Sequence, residues 1–143
     1  MSNIAKLAYI AVSSRDPSAL HKLLSECLQL DCFSLDTPDG LIDAYGIGDT
    51  ALAVFPAGST FLSKGKPGVD HLAFATKNTD EAASLLIDDA KHSIGINGME
   101  QIQIPGELTQ GVFSRFSPMT DLRGNSTKFV ERMDHIGIAS NSN

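Results

Sequence analysis

A chain of 143 residues with 42% apolar and 20% charged side chains is long enough to bury a core without disulfide or metal staples, and its composition is that of a globular domain rather than a disordered segment. Its net charge of −6, with only eleven Lys and Arg, offers no chain-wide basic footprint for a phosphate backbone, which argues against nucleic acid and for a small molecule as partner. No apolar run approaches the roughly 18 residues of a membrane span, and MSNIAKLAYIAVSSRDP reaches a polar cap too soon for a signal peptide, so no membrane partner is expected and the expected location is cytoplasmic.

In chain order, LAYIAV at 7–12 reads as a strand, and Ser14, Asp16 and Pro17 then announce a helix through a capping side chain and a proline in the first turn. Ala19, Leu20, Leu23, Leu24, Cys27 and Leu28 form its apolar stripe. Cys27 and Cys32 lie too close together for a useful disulfide and read as reduced thiols. CFSLD, LIDAYGIG and ALAVFPA follow as short strands, divided at Pro38-Asp39-Gly40 and at Gly48-Asp49. HLAFAT at 71–76 opens the same sequence of elements again. Asn78, Thr79 and Asp80 offer caps, Ala82 to Ala90 a helical stripe, Gly95 a stop, and MEQIQIP, GVFSRFSP and STKFVERM three more strands. His21 and His92 fall on the two predicted helices, where a solvated side chain is the default reading.

The openings LAYIAV, HLAFAT and HIGIAS recur with 64 residues between Leu7 and His71 and again between His71 and His135. This periodicity predicts an α+β fold of two tandem βαβββ modules, about 4–66 and 67–132, forming a curved mixed sheet or half-barrel pair with a helix on each outer face. Residues 1–132 would make one domain, and 133–143 the start of a third module or a C-terminal extension. Strand alternation places Leu7, Tyr9 and Ala11 of the first module, and His71, Ala73 and Ala75 of the second, toward the hollow.

GVDHLAFATKNTDEA at 68–82 and DLRGNSTKFVER at 121–132 resemble the second-module opening and the closing turn and strand of the vicinal oxygen chelate superfamily, and the likeness spans nearly the whole chain. That superfamily includes glyoxalase I, methylmalonyl-CoA epimerase, bleomycin-resistance proteins and extradiol dioxygenases. The resemblance implies a hollow in which first and last strands hold a divalent metal, Fe, Zn, Ni or Mn, through His, Gln or Glu. Carried over position by position, the ligands fall on Leu7, near Leu52, on His71 and on Lys128, so one of four is a donor. A strand register shifted by a residue or two brings Glu131 forward instead of Lys128. His71 reads as a metal ligand or as a buried, hydrogen-bonded histidine, the second being favoured. If Lys128 points inward beside His71, the pair favours an anionic ligand, with Tyr9 adding a hydroxyl or filling space.

The opening MDHIGIAS suggests a longer protein, in which His135 would be the first metal ligand of a following catalytic half; the competing reading is a complete chain whose last strand pairs elsewhere. Three functions stay open. The first is the metal-free N-terminal domain of a two-domain dioxygenase-like protein, with no cofactor in this chain. The second is a small-molecule-binding homodimer of the bleomycin-resistance type. The third is a metal-dependent lyase or isomerase. No nucleophile elbow, phosphate-cradling loop or CxxC is present.

Overall fold

Small and apolar residues in alternation draw Lys6–Ser14 into the first strand, β1, in a computed structural model that describes residues 6–63, 66–84, 91–104, 113–118, 122–134 and 136. The helical start falls where the capping residues put it: Asp16 Oδ1 accepts from the Ala19 N–H at 3.1 Å, Ser14 Oγ accepts from the Asp16 N–H, and Pro17 occupies the first turn of α1 (Pro17–His21). The coil then widens into a π-helical stretch over Lys22–Cys27, and Gln29, at φ 61°, ends it in the left-handed region. Three strands follow: β2 (Asp31–Thr37), β3 (Gly40–Ile47) and β4 (Thr50–Pro56). Gly40 at φ +119° makes the tight reversal between β2 and β3, a conformation an L side chain rarely adopts. The second half runs β5 (Gly68–Thr76), α2 (Thr79–Ala83), β6 (Lys91–Ile94), β7 (Glu100–Ile104) and β8 (Ser114–Pro118), with a short 3₁₀ turn at Ile96–Gly98.

All eight strands belong to one mixed sheet in the order β2-β3-β4-β1-β5-β8-β7-β6. β1 runs parallel to β4 and β5 parallel to β8, while β1 and β5 meet antiparallel at the middle. The sheet curls into a half-barrel around a core of small and aromatic side chains, Tyr9, Ala11, Ala44, Ala51, Ala53, Phe55, Phe61 and Ala73 among them. On the opposite face Leu20, Leu24 and Leu28 pack with Tyr45, Ile47, Leu52 and Val54.

Two irregularities in the β1–β5 ladder decide what enters the hollow. Leu7 pairs with Phe74 and Tyr9 with Ala73, leaving Ala8 as the extra residue of one bulge; Ala11 pairs with His71 and Val12 with Val69, leaving Asp70 as the extra residue of another. A bulge turns two consecutive side chains toward one side. Ala8 and Tyr9 are therefore both in the core, and Asp70 and His71 are both 1% exposed.

Several expectations are corrected. Leu7 lies across from Phe74, on the opposite face from Tyr9, because the bulge at Ala8 breaks the alternation. Leu52 lies opposite Tyr45 and packs beneath the helical segment, so neither position lines the hollow. Lys91–Ile94 form a strand where the second helix was expected to run on toward a stop at Gly95, and His92 stands exposed on it with Nδ1 2.9 Å from Glu100 Oε1. From the string GVFSRFSP, Ser114–Pro118 form β8, the partner of β5, so STKFVERM is left without a ladder. Its neighbourhood bonds elsewhere: the Gly124 N–H donates to Gly48 O, the Asn125 N–H to Asp31 Oδ2, and Thr127 Oγ1 to Leu28 O. Residues 122–134 thus pass as an irregular strap over the β2–β3 end of the sheet, with Leu122 in the hollow-side core and Val130 and Met133 against the helical side.

Candidate functional site

The half-barrel encloses a chain of polar side chains from four different strands. Asp70 and His71 come from β5, Tyr9 from β1, Gln101 from β7 and Arg115 from β8, and all five are less than 2% exposed. The His71 Nδ1–H donates to Asp70 Oδ2 at 2.7 Å, and the Tyr9 hydroxyl lies 3.0 Å from His71 Nε2. With Asp70 accepting at Nδ1, the neutral ring holds its proton there and Nε2 accepts from Tyr9. The Tyr9 oxygen accepts from Gln101 Nε2–H at 2.9 Å, and Gln101 Oε1 accepts from the Arg115 guanidinium at 3.4 Å. Arg115 also donates to Phe61 O at 2.6 Å and to Ser63 Oγ at 3.1 Å, and the Ser63 N–H returns to Asp70 Oδ2 at 2.7 Å. A ring of hydrogen bonds runs from carboxylate to guanidinium and back.

The segment between β4 and β5 closes this ring. Asp39 in the β2–β3 turn accepts from Ser59 Oγ and from the Thr60 N–H and hydroxyl, all at 2.7 to 2.8 Å, and these bonds, Thr60's first, hold its carboxyl below the usual carboxylate range. So anchored, the segment delivers Phe61 to the centre. Its ring stacks on Phe55 at 5.0 Å, meets His71 edge-on at 5.5 Å and lies 4.4 Å beneath the Arg115 guanidinium.

Burial dominates the electrostatics. It lowers the His71 pKa to about 4 against the opposing pull of Asp70, and raises that of Tyr9 to about 12 despite Arg115. At neutral pH the cluster therefore contains a neutral imidazole and a neutral phenol between a buried acid and a buried guanidinium.

Tyr9 and His71, named from the sequence, are thus brought together, whereas Lys128 is exposed on the irregular strap with its ammonium 5.6 Å from the Phe129 ring. Glu131 is exposed as well, and His135 lies outside the described residues. Asp70, Gln101 and Arg115 were missed. The signal was the alternation in EQIQI and SRFSP, where Gln101, Arg115 and Ser117 share one face; a polar face is ordinarily given to solvent, and here it is turned inward. His21, read as solvated, has its Nδ1 2.6 Å from the Tyr45 hydroxyl, and Cys27 and Cys32 are both free thiols.

A curled mixed sheet whose two parallel strand pairs meet along a central antiparallel seam is the vicinal oxygen chelate fold. Among solved structures, the chain resembles methylmalonyl-CoA epimerase from Mycobacterium tuberculosis with a TM-score of 0.67 at 14% identity, over 80% of this chain and 88% of that one. A methylmalonyl-CoA epimerase in complex with methylmalonyl-CoA and NH4+ gives a TM-score of 0.66 at 16% identity, over 85% and 99%. A hypothetical protein from Bacillus halodurans C-125 gives 0.66 at 17%, over 82% and 96%. No family model and no curated protein matches the sequence. Among the described residues no helix is long and apolar enough to cross a membrane.

Proposed function

We propose that this chain is a small-molecule-binding domain of the vicinal oxygen chelate fold, built from two βαβββ modules, that takes an anionic ligand in its hollow without metal chemistry there. The observation that carries the reading is Arg115. It is a buried cation whose Nε–H has no hydrogen-bond partner among the described residues, held in the hollow beside a histidine already committed at both nitrogens. An incoming carboxylate or phosphate oxygen would complete that guanidinium with a charge-assisted bond.

The residues at the superfamily's metal positions do not fit a divalent ion. The hollow-facing side chains of the modules' first and last strands are Tyr9 on β1, Ala51, Ala53 and Phe55 on β4, His71 on β5 and Arg115 and Ser117 on β8, and of these His71, bonded at both nitrogens, cannot alone hold a metal beside a guanidinium. Solved relatives of the fold hold acyl-CoA compounds, which supports an anionic ligand class for this chain as well. The repeat of DH and an apolar string at 134–138 favours a second reading, in which the domain precedes a catalytic half; the gene sequence beyond Asn143 decides it.

Thermal-shift titration with short mono- and dicarboxylates and organic phosphates, in chelator, tests the proposal. Stabilisation by at least one such anion is expected, and Arg115→Lys should lose it, since an ammonium cannot replace the guanidinium fork. Stabilisation that requires an added divalent ion and disappears in His71→Gln would overturn the reading in favour of a metal enzyme.

A further inference from the structure

Three side chains spaced eleven residues apart meet on the other face of the sheet, away from the hollow: His21 at the end of α1, Cys32 in β2 and Asp43 in β3. Strand pairing explains two of them. Cys32 lies opposite Tyr45 and Ser34 opposite Asp43, so Cys32 and Asp43 are diagonal neighbours on one face. The helical segment packs on that same face through Leu20 and Leu24, and this lowers His21 onto the pair. One ligand atom from each of the three lies within 4.8 Å of the others, with His21 Nδ1 3.9 Å from Asp43 Oδ2.

We propose that His21, Cys32 and Asp43 form a binding site for a zinc-class divalent ion, with the Tyr45 hydroxyl beside it. The donor set decides the class. Thiolate with imidazole selects borderline and soft ions over magnesium or calcium, and the carboxylate completes three protein ligands, leaving a position for water or a small ligand. Ligand atoms around a tetrahedral ion stand roughly 3.5 Å apart. The exposed Cys32 and Asp43 side chains reach that spacing by rotation. The Tyr45 hydroxyl, 2.6 Å from His21 Nδ1, gives way to the ion and stands as a donor next to it; burial first of all keeps it protonated, with its pKa raised to about 12. A recess of ≈ 200 Å³ lined by Pro17, Asp43, Tyr45, Val54 and Pro56 opens alongside, room for a ligand in the open position. Burial, and then the Asp43 charge, push the Cys32 thiol up, so metal-free Cys32 is protonated and entry of the ion exchanges its S–H for an S–metal bond, releasing the proton to water.

The test titrates the full chain with Co²⁺ as a spectroscopic probe and then displaces it with Zn²⁺. The expected result is one equivalent bound with a thiolate-to-cobalt charge-transfer band, which is lost in Cys32→Ser and kept in Cys27→Ser, the other thiol of the chain. His21→Ala and Asp43→Asn should each weaken zinc binding at least about tenfold. In the unaltered protein, zinc should shield Cys32 from alkylation and leave Cys27 reactive, a readout that needs no variant to fold. A cobalt spectrum without the thiolate band, a band that survives Cys32→Ser, or equal alkylation of both thiols with and without zinc would each overturn the proposal.

Discussion

Arg115 satisfies the carbonyl of Phe61, Ser63 Oγ and Gln101 Oε1 at once, and its charge faces the buried carboxylate of Asp70. Replacing it by Met keeps much of the volume but strands these acceptors and removes the guanidinium that faces Asp70, a loss of about 3–5 kcal/mol. Urea unfolding of Arg115→Met is the measurement, and a cost below about 1 kcal/mol would show that the ring of hydrogen bonds does not hold the hollow together. His71 adds a pH dependence whose sign follows from its lowered pKa. Between the ordinary 6.5 and about 4, the unfolded chain binds a proton at this residue that the folded chain refuses, so stability is complete above 6.5 and falls as pH drops through that window. With Asp70, Tyr9 and Arg115 around the ring, this amounts to about 3 kcal/mol at 1.36 kcal/mol per unit. Denaturation curves from pH 7 to pH 4 should show it, and His71→Gln should flatten them; a wild-type curve as flat as the variant's sinks the assignment.

At the scale of elements, the strap at 122–134 shows how a strand-like string can end without a ladder. STKFVER carries the β-branched and aromatic residues of a strand in Thr127, Phe129 and Val130, but Ser114–Pro118 already occupy the place beside β5, and the strap instead crosses β3 at a point where two glycines touch. A Cβ on Gly124 would stand 2.2 Å from Gly46 O, and one on Gly46 would stand 2.7 Å from Gly124 N, so both positions exclude any side chain. Gly124→Ala should lift the strap and cost about 1–3 kcal/mol, the usual penalty of overpacking. Hydrogen exchange at Asn125 and Val130 should rise more than exchange in β1 and β5. Uniform destabilisation across the sheet would contradict a locally docked strap. The paired bulges at Ala8 and Asp70 are the other deciding feature, since each adds its extra residue to the buried side beside Tyr9 or His71.

For the molecule as a whole, the curled sheet has two working faces that the sequence presented as one. The concave face holds the Asp70–Arg115 ring, and the convex face beside α1 holds His21, Cys32 and Asp43. The superfamily likeness directs attention to the hollow, where Asp70, His71, Tyr9 and Gln101 are hydrogen-bonded to one another. The convex cluster, which no repeat pointed to, carries the softer donor set. The two proposals are separable, because anion binding in chelator reads the first face and a thiolate–cobalt band reads the second.

The sequence by itself determined the α+β class, the cap of α1, the strands of the first half and the inward placement of Tyr9, His71 and Ala73, because capping and two-residue alternation are local properties of the backbone. Only the tertiary structure decided that Leu7 turns away, that β8 is SRFSP rather than STKFVER, that a polar strand face is buried, and that three residues eleven apart converge. Those outcomes depend on which strand pairs with which and where the ladder bulges. Pairing is settled by competition among segments distant in the chain, and no window of sequence contains all the competitors.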